Sequence, residues 1–180
     1  MKRKSSANFI VCVIAIALVG WLVYERTVEH SSNGSDGGLH MITYVYDGDT
    51  VKLDNGERVR LIGIDSPEAH VNAKLARDVG RRRMDGDTQL RMGMRASEFA
   101  HSFLDGKQVR VEYDVEKRDQ YGRLLAYLYL SDGTFVNEKI IREGYAYPLT
   151  IPPNVRHAAE FADWFREARH NRRGLWSRER

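Results

Sequence analysis

Two glycine-containing turns constrain the fold of this chain more than any other feature. Ile42 to Tyr46, Thr50 to Leu53 and Arg58 to Ile64 alternate apolar and polar residues as strands do, and Asp47-Gly48 and Asp54-Asn55-Gly56 separate them. Asn-Gly between alternating apolar residues is the strongest short hairpin signal in a sequence. The sequence therefore predicts that the folded region starts with three antiparallel strands.

One helix and two further strands extend this pattern. Met94 to Leu104 has apolar residues at helical spacing, and Val109 to Tyr113 and Leu124 to Leu130 have strand character. Two more helices are predicted, at Asn137 to Glu143 and at about Asn154 to His170. Three strands, a helix and two strands fit a five-stranded OB-fold barrel. We expect an α+β domain that is mainly β barrel, with three helices.

An apolar segment precedes this domain. Phe9 to Tyr24 carries no charge, and Lys2, Arg3 and Lys4 precede it. A helix of this segment would be about 24 Å long, short of the roughly 30 Å apolar core of a bilayer but tolerable with local thinning. We expect an uncleaved signal anchor, a transmembrane helix that leaves the folded domain on the extracytoplasmic side of the membrane. Secretion after signal-peptide cleavage is the alternative.

Composition divides the chain into five parts. These are a basic cytoplasmic N-terminus (1–8), the signal anchor (9–24), a flexible polar and glycine-rich linker (25–39), the folded domain (40–177) and a short tail (178–180). The single cysteine, Cys12, lies in the anchor, so no disulfide is expected. We expect the protein to be a monomer with no obligate protein partner.

Three short motifs carry carboxylates and arginines suited to phosphodiester chemistry. Carboxylate oxygens bind Ca²⁺ or Mg²⁺, and an arginine fork matches two oxygens of a phosphate. The histidines lack metal-ligand spacing, which gives no support to a zinc or histidine-based nuclease. The motifs are Asp47-Gly48-Asp49-Thr50, Arg60-Leu61-Ile62-Gly63-Ile64-Asp65-Ser66-Pro67-Glu68 and Asp119-Gln120-Tyr121-Gly122-Arg123. Together they indicate a phosphodiesterase.

These motifs, followed by Val136-Asn137-Glu138, resemble the staphylococcal nuclease (thermonuclease) family in order and spacing. The resemblance extends from about Ile42 to Trp176. It implies a calcium-dependent endonuclease that degrades DNA, and RNA as well, with little sequence specificity. The expected products carry 3′-phosphate and 5′-hydroxyl ends.

The resemblance also implies a metal site. Asp49 and Asp65 would bind Ca²⁺ through their carboxylates, and Ser66, which replaces the usual threonine of the family, would bind it through its backbone carbonyl. So few charged ligands suggest a weak site, with a dissociation constant of roughly 10⁻⁴ to 10⁻³ M. Asp47 is either a plain hairpin-turn residue or a hydrogen-bond partner of the ligands.

Three residues are implied in catalysis. By the resemblance, Arg60 and Arg123 stabilise the charge on the phosphate in the transition state, and Glu68 activates or orients the attacking water. Surface solvation is the alternative for each of them. Arg60 and Asp65 are five residues apart, which puts them on opposite faces of a regular strand unless a bulge or a strand end intervenes.

Other residues near these motifs are less specific. Tyr121 either lies near the phosphate and sugar of the substrate, as the resemblance implies, or packs on the barrel. Asp119 is expected to organise its loop. Gln120 stands where the type member has a lysine. Leu149 and Ile151 stand in a segment where that member has tyrosines that stack on substrate, so base preference is open.

Between Glu68 and Ala96 this chain has more residues than the type member, and the stretch from residue 77 to 95 is rich in arginine. It is either a solvated face or a basic flap that contacts the nucleic-acid backbone. Within it, Asp85-Gly86-Asp87-Thr88 repeats the first acidic motif, and we expect it to be part of a loop. The formal net charge of +3 is compatible with a polyanionic partner.

A protein of another class would have a similar sequence pattern. An OB-fold module without catalytic activity could bind nucleic acid or a protein partner with the same strands and loops. Absence of any of the acidic or arginine residues implied in catalysis would favour that alternative, but all are present, and we therefore expect a nuclease.

Overall fold

The computed structural model describes residues 35–70, 79–80 and 85–177. The predicted signal anchor and its basic flank lie outside these residues, as does the predicted tail. Within the described ranges, no helix combines the length and the apolar character required to cross a membrane.

The strands are β1 (Ser35–Asp47), β2 (Thr50–Leu53), β3 (Arg58–Leu61), β4 (Gly63–Asp65), β5 (Gln108–Glu112), β6 (Leu124–Leu130) and β7 (Tyr147–Leu149). Five of them close into a barrel in the order β1-β2-β3-β6-β5, which confirms the predicted five-stranded barrel. Neighbouring barrel strands are antiparallel, except that β3 and β6 are parallel. A second, two-stranded sheet pairs β4 with β7.

β1 differs from its predicted bounds. It begins at Ser35 rather than Ile42, so the last residues of the predicted linker belong to a strand. The first part of β1 pairs with β5 and the second part with β2. Its length follows from this double pairing, which residue alternation from Ile42 onward does not reveal.

In residues 35–70 and 85–177, three α-helices pack against the strands: α1 (Gly86–Leu104), α2 (Val136–Arg142) and α3 (Ala158–His170). The prediction that residues 85–88 form a loop was wrong. Asp85 is the N-cap of α1, and its carboxylate accepts a hydrogen bond of 2.8 Å from the Thr88 backbone amide. An acidic N-cap satisfies an amide that has no partner within the helix. α1 therefore starts at Gly86, about two turns before the predicted Met94.

The core lies inside the barrel and under the helices. Alternate strand residues point inward, for example Val51, Val59 and Val111, each almost completely buried. α1 adds Ala100 and Leu104 to this core, and α3 adds Phe161. The strand period of two therefore leaves the other face of each strand for solvent and for chemistry.

Candidate active site

The acidic turn between β1 and β2 is tightly built. Asp49 is 2% exposed, and its carboxylate accepts hydrogen bonds from the Ser66 amide (2.6 Å) and the Thr50 hydroxyl (3.0 Å). The Asp49 amide donates to Asp47 Oδ1 at 3.0 Å. A Cβ atom on Gly48 would lie 2.1 Å from Ser66 Oγ, so only glycine fits between the two segments. The turn thus fixes the Asp49 carboxylate.

Arg60 on β3 lies directly beside this carboxylate. Thr50 and Arg60 are partners in the β2–β3 register, which places the arginine next to the turn. One terminal nitrogen of its guanidinium pairs with Asp49 Oδ1, and the other lies 3.2 Å from Asp65 Oδ1. Two buried carboxylates therefore face one guanidinium.

A break between β3 and β4 allows Arg60 and Asp65 to meet. β3 ends at Leu61, and β4 starts at Gly63 in a different sheet, so the two residues do not belong to one regular strand. Gly63 has φ +83°, and a Cβ atom there would lie 2.0 Å from the Phe161 ring. Such a φ is unfavourable for residues with a side chain. Of the arrangements left open by their odd spacing, the structure shows a strand end.

Asn137 holds this break in place. Its side-chain amide donates to the Ile62 carbonyl at 2.8 Å and accepts from the Leu128 amide at 3.1 Å. The side chain is completely buried, so both contacts are protected from water. The sequence pattern gave Asn137 no role beyond the start of a helix, and the structure shows that it connects α2 to the segment before Asp65.

The ionisation of Asp47 and Arg60 depends on their burial and on the charges around them. Burial, and then the nearby charge of Asp49, raise the pKa of Asp47 to about 7. Burial alone would lower the pKa of Arg60, but the carboxylates of Asp49, Asp65 and Asp47 outweigh it and raise that pKa further. Arg60 therefore stays a cation. The Asp49 backbone amide donates to Asp47 Oδ1, so Asp47 closes the turn, and its role as a hydrogen-bond partner of the metal ligands stays a prediction.

Arg123 is held within its own loop. Its Nε donates to Asp119 Oδ2 at 2.8 Å, and the backbone amides of Tyr121 and Arg123 donate to Asp119 Oδ1 at 2.9 and 3.0 Å. These contacts lower the pKa of Asp119 although its partial burial opposes the shift. Asp119 therefore organises the loop and aligns Arg123.

The two arginines line one open pocket of about 470 Å³. Asp65 lies in the same lining, with Tyr121 at the rim. Tyr121 is 76% exposed, so it does not pack on the barrel. Leu149 and Ile151, at and after the end of β7, contribute apolar surface to the pocket.

Asn154 fixes the segment that follows this apolar surface. Its side-chain oxygen accepts from the Glu116 amide at 2.8 Å, and its side-chain nitrogen donates to the Glu116 carbonyl at 2.9 Å. Both residues line the pocket. The sequence placed Asn154 at the start of the last helix, but that helix starts at Ala158. No local pattern predicts this contact, since the partners are far apart in the chain.

Ser66 and Glu68 follow β4, which ends at Asp65. Ser66 is buried beside Asp49. Glu68 is half-buried, and its backbone carbonyl packs against Gly93 of α1 so closely that a Cβ atom there would lie 1.9 Å away. Glu68 is not part of the described lining of the pocket. The ligand role of the Ser66 carbonyl and the catalytic role of Glu68 stay predictions.

The donor set suits a hard cation. Asp49 and Asp65 present carboxylate oxygens to one positive group, which is the chemistry that Ca²⁺ prefers. Among residues 35–70, 79–80 and 85–177, no group of three or more histidine, cysteine, aspartate or glutamate side chains is arranged to hold a metal. A cation held by Asp49 and Asp65 would therefore also need carbonyl or water ligands.

Comparison with known proteins agrees with this fold and these motifs. A family model described as staphylococcal nuclease homologue matches residues 58–178. The thermonuclease of Staphylococcus intermedius is 31% identical over 183 residues, covering 99% of this chain and 100% of the relative. The thermonuclease of Staphylococcus hyicus is 28% identical, covering 97% and 99%. "Endonuclease YhcR" of Bacillus subtilis is 28% identical over 87% of this chain but only 13% of its own length. The chain therefore belongs to the staphylococcal nuclease family.

Proposed function

We propose that this protein is a calcium-dependent nuclease that hydrolyses phosphodiester bonds in DNA and RNA, leaving 3′-phosphate and 5′-hydroxyl ends. The observation that carries the proposal is the pocket in which Arg60, Arg123 and Asp65 meet. The relatives named thermonuclease and endonuclease support the same class of reaction.

The two arginines would bind the scissile phosphate. Each guanidinium is already oriented by carboxylates, Arg60 by Asp49 and Asp65, and Arg123 by Asp119. Donors fixed before the reaction stabilise developing charge without reorganisation, which is where they contribute most. A guanidinium is a poor proton donor, so both act through charge and hydrogen bonds.

Asp49, Asp65 and the Ser66 carbonyl would hold Ca²⁺, which when bound supplies Lewis-acid charge stabilisation and water positioning. Glu68 would orient the water or accept its proton. The water oxygen forms a bond to phosphorus, the bond from phosphorus to the 5′ oxygen breaks, and that oxygen takes up a proton. The phosphate stays on the 3′ oxygen of the neighbouring nucleotide.

Little sequence specificity is expected. The arginines address phosphate oxygens, and contacts to phosphate position a nucleic acid without reading its bases. Tyr121, exposed at the rim, would contact the phosphate or sugar of the substrate. Its ring centroid lies 5.6 Å from the Arg123 guanidinium carbon, close enough for the two to act on one nucleotide.

The proposed location rests on the sequence alone. The uncharged segment and its basic flank indicate a signal anchor with the barrel on the extracytoplasmic side, where millimolar calcium would fill a weak site. Cell fractionation and sequencing of the mature N-terminus test this. A mature protein that starts after the segment and is found in the medium would show secretion instead.

Calcium titration tests the activity. We expect the purified protein to degrade DNA and RNA with Ca²⁺ and not with a chelator. Asp49→Asn should raise the calcium concentration for half-maximal activity at least tenfold, because a charged ligand is lost. Asp163→Asn, an exposed carboxylate on α3, is the matched control and should titrate as the parent does. Intact nucleic acid in all tubes, from folded protein, would favour the binding module without activity.

A further inference from the structure

The outer face of the first three strands carries an exposed aromatic and cationic surface that the catalytic site does not use. We name it the tyrosine–cation stripe: Tyr44 and Tyr46 on β1, Lys52 on β2 and Arg58 on β3. Strand register puts three of them in one row, because Tyr44 pairs with Lys52 and Lys52 with Arg58. The row thus crosses the sheet at right angles to the strands.

The aromatic part of the stripe is preformed. The rings of Tyr44 and Tyr46 meet edge to face with centroids 4.9 Å apart, and the Arg58 guanidinium lies 4.0 Å above the Tyr46 ring. Tyr44 remains 52% exposed. A tyrosine held by a neighbouring ring but open to solvent is available for stacking with a flat partner.

The charges of the stripe are also available. Within the part of the chain that the structure describes, neither Lys52 nor Arg58 forms an ion pair, whereas Arg118, Arg142 and Arg156 each pair with a carboxylate. Both cations are exposed. Two solvent-facing cations beside two tyrosines are complementary to a partner with negative charges and flat rings, which describes a single-stranded nucleic acid.

The stripe is continuous with the candidate active site. Arg58 and Arg60 are two residues apart on β3 and therefore point to the same face, with Cα atoms about 7 Å apart. Arg60 lines the pocket, and Tyr46 directly precedes the acidic turn at Asp47. A strand whose phosphate binds at Arg60 can therefore continue over Arg58 and Tyr44 without leaving the surface.

We propose that the tyrosine–cation stripe is an extended subsite for single-stranded polynucleotide, in which Lys52 and Arg58 contact phosphates and Tyr44 stacks on a base. The inference rests on the proposed nuclease function and deepens it. It makes the enzyme favour long unpaired strands over short fragments, because only long strands reach both Arg60 and Tyr44.

The test compares binding of a long and a short strand by the purified full chain. Fluorescence anisotropy with chelator present measures the dissociation constants of a labelled single strand of about 16 nucleotides and of a labelled dinucleotide. Tyr44→Ala should weaken binding of the long strand roughly tenfold or more, since stacking is lost. Tyr44→Phe should bind like the parent, because the aromatic face is kept. Affinity for the dinucleotide should change less than twofold in both variants.

The charges are tested by salt dependence. In Lys52→Gln/Arg58→Gln, the negative slope of log K against log salt for the long strand should decrease in magnitude by about 1.4, since each phosphate contact on a single strand contributes about 0.7. Arg166→Gln, an exposed cation on α3, is the control and should leave the slope unchanged. Circular dichroism confirms that each variant is folded.

Three results would overturn the inference. The first is a long-strand affinity that Tyr44→Ala leaves unchanged. The second is an equal loss in Tyr44→Phe. The third is binding to anionic phospholipid vesicles that the parent shows and the stripe variants lose while their strand binding is normal, which would assign the surface to a membrane. If the parent cleaves nucleic acid but the stripe variants bind the long strand normally, only the proposed subsite is rejected. If a folded parent cleaves no nucleic acid, the proposed nuclease function is rejected.

Discussion

The two arginines of the pocket reach it in different ways. Arg60 extends from a barrel strand, is 13% exposed and lies between two carboxylates that belong to other segments of the chain. Arg123 extends from a surface loop, is 27% exposed and pairs with Asp119 of the same loop. One guanidinium is therefore fixed by the fold, and the other by local hydrogen bonds.

Because of this difference, the two arginines should contribute similarly to catalysis but differently to the stability of the fold. The carboxylates around Arg60 are buried, so they depend on its charge in the folded state. The carboxylate beside Arg123 is nearer to water and also accepts two backbone amides. Removal of either arginine should reduce catalysis, but only removal of Arg60 should strongly weaken the fold.

Arg60→Ala should have the largest effect. We expect kcat to fall about 10²- to 10³-fold, as when a preorganised donor to the transition state is removed. The free energy of unfolding should fall by about 3–5 kcal/mol, because buried carboxylates lose their counter-charge. Steady-state kinetics and urea denaturation measure the two quantities.

Arg60→Lys is the matched variant for this prediction. It keeps the charge but not the fork that contacts two carboxylates, so it should recover stability more than activity. Added Ca²⁺ should restore part of the stability of Arg60→Ala, since a cation between Asp49 and Asp65 replaces the missing charge. An Arg60→Ala protein as stable as the parent without calcium would contradict the role assigned to this pair.

Arg123→Ala should reduce kcat to a similar extent, about 10²- to 10³-fold. The free energy of unfolding should change by no more than about 1 kcal/mol, because an ion pair near the surface, such as that of Arg123 with Asp119, contributes little to stability. The same two measurements apply. A loss of stability equal to that of Arg60→Ala would remove the distinction between the two arginines.

The sequence predicted which residues belong to this pocket, but it did not predict how they come together in space. Hairpin turns and alternation predicted the barrel, and the motifs named Arg60, Asp65 and Arg123. The approach of Arg60 to Asp65 could not be predicted, because it depends on a strand break at Gly63 and on the contact of Asn137 with Ile62. Both involve residues distant in the chain, which local patterns do not record.

Two further differences between the predictions and the structure concern α1, at Asp85 and at Arg95. An aspartate is a common helix N-cap, and Asp85 accepts from the Thr88 amide as such a residue does. The absence of an apolar strand after Thr88 favoured a loop instead. Arg95, in the arginine-rich stretch, donates to the Gly174 carbonyl and the Ser177 hydroxyl. At least one arginine of that stretch therefore has a structural contact, which neither predicted alternative included.

Gly63→Ala should disturb only the Arg60 side of the pocket. The new methyl group would collide with Phe161, and the positive φ would be strained. Gly133→Ala is the matched control, because Gly133 has φ +87° but no atom within 4 Å of an added Cβ. Gly63→Ala should lower the free energy of unfolding by about 1–3 kcal/mol more than the control does. Equal losses would show that the contact with Phe161 adjusts freely.

Asp119→Asn should have the smallest effect and concerns only the Arg123 side. Asparagine keeps an oxygen that can accept the backbone amides of Tyr121 and Arg123, but it lacks the charge that orients the Arg123 guanidinium. We expect kcat to fall about tenfold, less than the roughly 100-fold cost of a 1 Å misplacement, with little change in stability. Asp163→Asn, which removes a similar partner from Arg166 on α3, should leave kcat unchanged.

Because Asp119 acts through Arg123, Asp119→Asn in the background of Arg123→Ala should cause no further loss of kcat. A full additional tenfold loss in that double variant would show that Asp119 contributes to catalysis by itself.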